Sequence, residues 1–549
     1  MSISANHLFK SRLYLISAFF GFLYVCQLAH LFIIQGLKHD YYHQLGQKQY
    51  AVTITSHAPR AVIFDRTGKQ VLALNLDAFS AVILPNTLKE TSGVHDFLEH
   101  NFPTAYQRLC AHSDAQFMYI KRKLSPEDLA LIEQSNLTDI KIIHEPSRYY
   151  PLVAAAPLIG ITDIDNKGIS GIEFAFDQLL AGTPTIFALE KDARSKNTYF
   201  KKEITESGIA GQPIQLTIDG TLQFLVAQEV EKTVAHFNAQ EGAALVMDPV
   251  SGDILAMVSV PGFNPNDIHN LCLSNTKNKA VTEAYELGSV FKVFTALAAL
   301  QEQVTTPDEL IDCKNSKTTF IDGRKINTIT AHGSIPFWQV VAQSNNIGSA
   351  IIAKRLGTKL YDHYAALGFG QKTALNFPGQ NKGFLNKPED WSKQSLISLS
   401  YGYEVSATLL QLALAFCVIA QDGFTITPHL LLNPREPELP SRQLYDQEPI
   451  TIIKEILEKT TKEGTARKAA VRGYRVMSKT GTANMLIDGH YVEDKNLFTC
   501  AGIVEKGTYK RVIVTFIKQC EQPDLYASGV TAPLFERIAT TTLIHEKII

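Results

Sequence analysis

The chain has 549 residues, 45% of them hydrophobic and 19% charged, with a formal net charge of −2 at pH 7. This composition is typical of a folded protein with more than one domain, and it excludes a disordered chain. The nearly balanced charge gives no reason to expect a nucleic-acid partner.

The seven cysteines are scattered, and none belongs to a Cys-x-x-Cys pair. This pattern predicts neither a zinc site nor a dense disulfide framework. Cys500 and Cys520 flank a predicted hairpin, and their spacing fits either a bridge or two ordinary buried thiols. No metal and no cofactor are predicted.

The first predicted element is a transmembrane anchor over residues 13–37, a stretch without Asp, Glu, Lys or Arg. It is long enough to cross a hydrocarbon core of about 30 Å. The alternative of a cleaved signal peptide fits less well, because the apolar stretch is longer and no small-residue cleavage site follows. Lys10 and Arg12 precede it, which predicts that residues 1–12 are cytoplasmic and the remainder lies outside.

Two polar residues, Gln27 and His30, interrupt the apolar anchor at i, i+3 spacing, hence on one helix face. Polar groups in hydrocarbon usually face a partner helix or a cavity. The pair therefore predicts a contact with a partner helix, with snorkelling towards the outer interface as the alternative.

Residues 38–210 are predicted to form a mixed α+β domain. Residues 60–75 alternate as strand, turn and strand, with the turn at Arg66-Thr67-Gly68. Residues 125–136 predict a helix capped by Ser125, with Asp128 three residues later. No cluster of catalytic side chains is visible in this part.

Residues 211–549 are predicted to form a second domain. A strand and a long helix are followed by a hairpin pattern within residues 241–267, and residues 280–420 are mainly helical. Three strands follow Tyr474. Strands, then helices, then strands predict an α+β fold in which one antiparallel sheet is flanked by helices.

A first candidate for chemistry is Ser289, which precedes Lys292 by three residues where a glycine leads into an apolar helix. At this spacing the amine lies beside the hydroxyl, and the helix N-terminus offers free N–H groups for an oxyanion. The lysine must be partly neutral to act as a base, which burial or a nearby cation favours. The alternative is a serine that only caps the helix. Ser-x-x-Lys is weak alone, since Ser274 and Lys277 also match it.

Two further motifs follow in a fixed order. Ser344 and Asn346 form a Ser-x-Asn at a loop-to-helix boundary, and residues 479–482, Lys-Thr-Gly-Thr, lie on a predicted edge strand. Gly481 would let an extended peptide approach that strand closely, and the lysine and threonine groups suit a substrate carboxylate. The three motifs together indicate an active-site serine acyl transferase.

The sequence resembles the class B penicillin-binding proteins, membrane-anchored transpeptidases that cross-link bacterial peptidoglycan, over nearly its whole length. The segments that carry the resemblance are RAVIFDRTG (60–68), GISGIEFAFDQLLAG (168–182), MDPVSGDILAMVSVPGFNPN (247–266), YELGSVFK (285–292), SYGYEVSATLLQLALAF (400–416) and EGTARKAAVRGYRVMSKTGTA (463–483). The resemblance implies a non-catalytic pedestal or dimerisation domain over 38–210 and a β-lactamase-like transpeptidase domain over 211–549. Residues 400–403 are more similar to the division-specific branch than to the elongation branch.

The resemblance also implies four catalytic and four substrate-binding residues. The catalytic set is Ser289, Lys292, Ser344 and Lys479, and the substrate-binding set is Asn346, Thr480, Gly481 and Thr482. Ser289 would attack the penultimate D-Ala carbonyl of a stem peptide, with Lys292 as base and Ser344 as proton relay to the leaving group. Asn346 would bind the substrate amide. Lys479 and the two threonines would bind the terminal carboxylate, and the N–H groups of Ser289 and Thr482 would form the oxyanion hole.

The implied partners are peptidoglycan stem peptides, β-lactams, the membrane, a polytopic glycan polymerase and other division proteins. The implied location is the cytoplasmic membrane, with a single pass and the catalytic domain on the periplasmic face. The sequence departs from the family pattern at Ala61, Leu287, Val290, Glu404 and Ser478. Glu404 is either a carboxylate that alters the electrostatics of the site or a solvated loop residue.

Three alternatives remain at this point. An elongation-type transpeptidase shares all these motifs. A β-lactamase or D,D-carboxypeptidase uses the same triplet, although no positioned glutamate for rapid deacylation is evident. A non-catalytic division scaffold or β-lactam sensor is the third, and the intact triplet argues against it.

Overall fold

The computed structural model describes residues 3–56, 58–115, 117–191, 199–267, 270–522 and 524–548. By internal contacts the chain divides into two units. One unit comprises Met1–Ala58 and Gly182–Gly211, and the other comprises Pro59–Ala181 and Gln212–Ile549.

The N-terminal part of the chain mixes helices and short strands, as predicted. Up to Gly211 the elements are α1 (Ile3–Phe32), α2 (His39–Tyr50), β1 (Ala51–Ser56), β2 (Ile63–Phe64), β3 (Val71–Ile83), α3 (Thr91–Asn101), α4 (Pro103–Ala111), β4 (Met118–Lys121), α5 (Pro126–Ser135), β5 (Lys141–Tyr149), α6 (Ala156–Ile159), α7 (Gly171–Ala175), α8 (Asp177–Ala181), β6 (Thr185–Lys191) and β7 (Tyr199–Glu206).

The first unit contains the predicted anchor. Helix α1 continues into a π-helical turn over Ile33–Leu37. The segment Lys10–Leu37 has a mean hydropathy of 1.8 and is long and apolar enough to cross a membrane. The same unit holds a three-stranded antiparallel sheet in the order β1-β6-β7.

In the second unit, residues 59–181 form a sheet in which β3 pairs with β2, β4 and β5. The predicted β2–β3 hairpin is therefore confirmed. So is the capped helix α5, since Ser125 and Asp128 form a reciprocal capping box. Residues 59–181 also contain a buried ion network, in which Glu173 accepts hydrogen bonds of 2.6 Å from Nε of both Arg60 and Arg148.

The C-terminal part follows the predicted order of strands, helices and strands. Its elements are β8 (Ile214–Leu216), α9 (Gly220–His236), β9 (Glu241–Met247), β10 (Ile254–Val260), α10 (Lys279–Thr282), α11 (Lys292–Gln301), β11 (Leu310–Asp312), β12 (Thr318–Ile321), β13 (Arg324–Asn327), β14 (Ser334–Pro336), α12 (Phe337–Ala342), α13 (Asn346–Leu356), α14 (Lys359–Ala366), β15 (Phe384–Leu385), α15 (Ser395–Leu399), β16 (Val405–Ser406), α16 (Leu409–Ala420), β17 (Leu431–Asn433), α17 (Gln447–Lys462), β18 (Arg475–Ile487), β19 (His490–Lys506), β20 (Tyr509–Lys518) and α18 (Ala527–His545).

A five-stranded antiparallel sheet in the order β10-β9-β20-β19-β18 forms the centre of this part. Alternate residues of β9 enter two different apolar clusters, because successive side chains of a strand point to opposite faces. Leu245 packs in the cluster that contains α11 and α16, whereas Val246 packs in the one that contains α9 and α18. The predicted antiparallel sheet flanked by helices is thus confirmed, and β18 is its edge strand.

All seven cysteines are free thiols. Cys500 and Cys520 are both buried, so the alternative of two ordinary thiols holds and the bridge is not formed.

Candidate active site

Ser289 lies in a short 3₁₀ turn over Gly288–Phe291, and α11 begins at Lys292. The helix thus begins one turn after Ser289, because the tighter turn comes first. The capping alternative is wrong, since no side-chain cap is formed at either start. Instead, Ser289 Oγ accepts a hydrogen bond of 2.7 Å from Lys292 Nζ.

The turn that carries Ser289 is pressed against β18. Gly288 has φ +59°, and a Cβ built on it would lie 2.6 Å from the carbonyl oxygen of Thr482. A Cβ on Gly481 would lie 2.2 Å from the carbonyl oxygen of Leu287. Gly481 is therefore required by contact with the turn that carries Ser289, and the expected reason, close approach of a substrate, is not needed to explain it.

Lys292 is buried and lies at the centre of the site. Its Nζ also reaches the carbonyl oxygen of Ser344 at 3.0 Å, the hydroxyl of Ser344 at 3.1 Å, and Oδ1 of Asn346. The Asn346 amide is fixed because its Nδ2 donates to the Asn327 carbonyl at 2.6 Å. The first two of the three motifs predicted from the sequence thus meet at one nitrogen.

Burial holds the pKa of Lys292 well below its ordinary range, and the charge of Lys479 lowers it further. The condition derived from the sequence, a partly neutral lysine produced by burial and a nearby cation, is therefore met. Burial also lowers the pKa of Lys479 to about 7. Nζ of Lys479 donates to Ser344 Oγ at 3.1 Å and to the Thr480 carbonyl at 2.9 Å.

Ser344 sits where α12 gives way to α13. Its φ of +57° places the residue in the left-handed region, which for a serine is strained. Asn345 then caps α13 by accepting from the Gly348 N–H at 2.9 Å, so the middle residue of the motif is structural. Strain at Ser344 is offset by this cap and by the two lysines that donate to its hydroxyl.

The main chain of β18 offers polar groups at its free edge. Ser478 N donates to Thr461 Oγ1 at 3.0 Å, and Asn484 N donates to the Tyr403 hydroxyl at 3.2 Å, so both point away from β19. Alternate residues of a strand direct their main-chain groups to the same side. The N–H groups of Thr480 and Thr482, which lie between them, consequently also face the free edge.

A cleft of about 460 Å³ lies along this edge. Five of the eight predicted residues line it, whereas Lys292, Lys479 and Gly481 lie buried behind its wall. Its lining residues are Ser289, Ile329, Ser344, Asn346, Gly464, Thr465, Arg467, Lys468, Thr480, Thr482, Asn484, Tyr526, Ala527 and Ser528.

Sequence reasoning missed the cleft's own cations, Arg467 and Lys468, which are exposed between α17 and β18. The signal was present as the basic pair in the EGTARK run, just before the third motif. It missed Tyr526 and Ser528 as well, which precede and begin α18. Nothing in their sequence surroundings sets them apart, because the fold alone brings α18 to β18.

The two threonine hydroxyls have different partners. Thr482 Oγ1 accepts from the Ala527 N–H at 3.0 Å, and this bond leaves its own hydrogen available to the cleft. Thr480 Oγ1 donates to Thr465 Oγ1 at 3.1 Å. Both side chains are consequently oriented before any substrate is bound.

Glu404 is not a solvated loop residue, and that alternative is wrong. It has φ +58°, and its Oε1 accepts from Ser398 Oγ at 2.6 Å and from Arg324 Nη1 at 3.3 Å. Its own N–H donates to Glu286 Oε1 at 2.8 Å. Glu404 thus belongs to a network of side chains next to the Ser289 turn.

Comparison with known proteins identifies the class of this site. Residues 242–540 match the penicillin-binding protein transpeptidase domain, and residues 55–216 match the penicillin-binding protein dimerisation domain. The chain belongs to the penicillin-binding protein transpeptidase family. The resemblance inferred from the motifs is confirmed, and with it the enzyme class, a serine-type D,D-transpeptidase.

Individual relatives agree with this assignment. The peptidoglycan D,D-transpeptidase FtsI of Buchnera aphidicola subsp. Schizaphis graminum is 32% identical over 79% of this chain and 76% of its own. The probable peptidoglycan D,D-transpeptidase PbpC of Pseudomonas aeruginosa is 28% identical over 93% of this chain and 91% of its own. The fold is shared with penicillin-binding protein 3 of Mycobacterium tuberculosis in complex with aztreonam, at a TM-score of 0.70, 24% identity, and 90% and 98% coverage of the two chains.

Proposed function

We propose that this protein cross-links peptidoglycan stem peptides as a D,D-transpeptidase of the division-specific type, with Ser289 as its nucleophile. The observation that carries the proposal is the 2.7 Å contact between Ser289 Oγ and a buried Lys292. The division-specific assignment is supported by the run at residues 400–403 and by the FtsI relative.

Lys292 is the general base of acylation. Its neutral amine has two hydrogens and one lone pair. The Ser344 carbonyl and Asn346 Oδ1 are acceptors only, so they take the two hydrogens. The charged amine donates to Ser289 Oγ, but in the neutral amine the direction reverses, because the lone pair is left for the Ser289 hydroxyl. The hydroxyl proton then moves to Nζ as Oγ bonds to the penultimate D-Ala carbonyl carbon.

The oxyanion that forms on that carbonyl is stabilised by the main-chain N–H groups of Ser289 and Thr482. The support for this role is the direction of β18, whose even-numbered residues face the cleft edge, and the contact of Gly288 with Thr482. Donors fixed before the reaction stabilise the transition state without reorganisation.

Collapse of the intermediate breaks the amide bond to the terminal D-Ala. The proton held by Lys292 reaches the leaving nitrogen through Ser344, whose hydroxyl lies 3.1 Å from Nζ. An amine of a second stem peptide then attacks the acyl-enzyme by the reverse route, and Ser289 is released. β-Lactams acylate Ser289 in the same way.

The substrate carboxylate is bound at the Thr480–Thr482 end of the cleft, where Thr482 has a free hydroxyl hydrogen. Lys479 contributes positive charge from its buried position behind the cleft wall. Arg467 and Lys468 supply exposed positive charge in the cleft. Asn346 keeps a second amide hydrogen for the substrate carbonyl.

We assign residues 1–12 to the cytoplasm, 13–37 to the membrane, 38–210 to a pedestal or dimerisation domain and 211–549 to the transpeptidase domain on the periplasmic face.

Gln27 and His30 are the proposed contact with a polytopic glycan polymerase. Replacing both with Leu should abolish co-purification of that polymerase, and unchanged association would contradict the contact.

The proposal is tested by labelling the full-length protein with a fluorescent penicillin, followed by intact mass. We expect one stable adduct on the wild type and none on Ser289→Ala. Ser274→Ala, in the second Ser-x-x-Lys, is the matched control and should label normally. Turnover of penicillin without an adduct would indicate a hydrolase, and labelling of Ser289→Ala would exclude Ser289 as the nucleophile.

A further inference from the structure

Glu286 lies three residues before Ser289 and outside the cleft lining. One of its carboxylate oxygens, Oε1, accepts two hydrogen bonds, from the Glu404 N–H at 2.8 Å and from the Tyr491 hydroxyl at 3.1 Å. The donors come from two separate segments, the loop before β16 and the β18–β19 hairpin. A single oxygen thus connects three pieces of chain.

The first connection joins the segment that carries Glu286 to the loop before β16, which runs antiparallel to it. Tyr285 and Ala407 exchange two main-chain hydrogen bonds of 3.0 Å, and a Cβ on Gly402 would lie 2.1 Å from the Gly288 carbonyl. Between these contacts, the Glu404 N–H has the Glu286 side chain as its acceptor. The loop therefore lies directly on the Ser289 turn, and Glu286 accepts from the N–H in the middle of that contact.

The second connection reaches the cleft. The Tyr491 ring packs edge-on against the Tyr403 ring at 4.9 Å. The Tyr403 hydroxyl accepts from the N–H of Asn484, which lines the cleft. Through these two tyrosines, Glu286 connects the Ser289 turn to Asn484 on β18, two residues from the oxyanion donor Thr482.

The third connection runs through Glu404 to Asn346. Glu404 accepts from Arg324 on β13 at 3.3 Å, and β13 ends at Asn327, whose carbonyl holds the Asn346 amide. Asn346 in turn contacts the base Lys292. The pair Glu286 and Glu404 is consequently connected, directly or through two intervening residues, to the segments that carry all three motifs.

We propose that Glu286 is a positioning residue for acylation, which holds the Ser289 turn in register with the loop at 402–404 and with the β18–β19 hairpin. This inference rests on the proposed acylation of Ser289. Removing the acceptor leaves the Glu404 N–H without its partner and frees the turn to shift relative to the Thr482 N–H. A displacement of about 1 Å between nucleophile and oxyanion donor costs about 100-fold in rate.

The surroundings of Glu286 explain why glutamine is its matched replacement. Burial raises the pKa of Glu286 to about 7; the Glu404 carboxylate also raises it, while the Glu404 N–H, the Tyr491 hydroxyl and Arg324 lower it. The group is therefore about half neutral at pH 7. Glutamine keeps the acceptor Oε1 without the charge.

The test is the time course of fluorescent-penicillin labelling of the full-length chain, read as a rate constant and a final amplitude. A loss of folded protein lowers the amplitude, whereas misplacement of Ser289 lowers the rate constant. We expect Glu286→Ala to lower the rate constant by about 10- to 100-fold at wild-type amplitude. Glu286→Gln should restore it to within about threefold, because the accepted hydrogen bonds are kept.

The control is Glu283→Ala, which removes a partly exposed carboxylate on the same segment, 3.7 Å from Lys277 Nζ, and should label at the wild-type rate. If Glu286→Ala does not fold, Tyr491→Phe removes one donor only, and we expect its rate constant to fall about threefold. A wild-type rate constant in Glu286→Ala or Tyr491→Phe would overturn the inference, as would a Gln variant as slow as the Ala variant. Failure of the wild type itself to label would instead contradict the proposed function.

Discussion

Lys292 and Lys479 approach the same oxygen atom, since Nζ of each lies 3.1 Å from the hydroxyl oxygen of Ser344. Both amines are buried, and two positive charges at this separation repel strongly in a medium of low dielectric. The pair therefore favours a state with at most one charge. Because burial and the charge of Lys479 both lower the pKa of Lys292, that state favours a neutral amine beside Ser289.

The first prediction concerns Lys479→Met. The charge of Lys479 lowers the pKa of Lys292, so its removal raises that pKa. Lys292 is then neutral only at higher pH, and the acidic limb of the pH–rate profile for penicillin acylation should move to higher pH. Lys462→Met, which removes an exposed lysine on α17, should leave the midpoint in place. An acidic limb that stays or moves to lower pH would contradict the coupling.

The second prediction concerns Gly481→Ala. The added Cβ would lie 2.2 Å from the Leu287 carbonyl and 2.7 Å from a methyl group of Val290, so the Ser289 turn must move. We expect acylation to fall by about 100-fold and the unfolding midpoint to drop. Gly529→Ala is the control, since its Cβ meets nothing within 4 Å and alanine favours the helix by about 0.5–1 kcal/mol. Equal labelling rates in the two variants would contradict the contact.

The third prediction concerns the buried carboxylate of the N-terminal part. Glu173→Gln leaves the guanidinium groups of Arg60 and Arg148 buried without their shared anion. Breaking such a network should lower the free energy of unfolding by about 3–5 kcal/mol. Asp165→Asn removes an exposed partner of Arg122 and should cost less than about 1 kcal/mol. Chemical denaturation of both variants measures the difference, and equal losses would show that burial is not the deciding factor.

The fourth prediction concerns the thiols. Cys26, Cys110 and Cys272 are exposed, whereas the other four are buried. A hydrogen bond from Ser274 lowers the pKa of Cys272, and burial raises the pKa of Cys500. Because the thiolate is the reactive form, Cys272 should be alkylated first and Cys500 only after unfolding. Mass mapping after timed alkylation checks the order, and Cys272→Ser should remove the fast phase.

The sequence predicted the elements whose signals are local. The apolar anchor, the cap at Ser125 and the hairpins of the central sheet rest on periodicity, capping and turn chemistry, which act within a few residues. The approach of Ser289, Ser344 and Lys479 was inferred from their order and from resemblance alone. Spacing along the chain does not determine it.

What the sequence did not disclose depends on contacts between distant segments. Glycine is required at position 481 because the turn at Leu287 packs against it. Glu404 is ordered because it forms hydrogen bonds with Arg324 and Glu286. Arg467 and Tyr526 reach the cleft because α17 and α18 pack on the same strand. Such placements are properties of the folded sheet, and no local pattern encodes them.

The free edge of β18 also affects how two molecules could associate. An unpaired edge strand is a template for association with any extended chain. Here Thr461 takes the main-chain hydrogen of Ser478 and Tyr403 takes that of Asn484, so both ends of the open stretch are already occupied. Only Thr480 and Thr482 remain between them. The open stretch is long enough for a peptide tail of a few residues. It is too short for the edge strands of two molecules to pair and begin an aggregate.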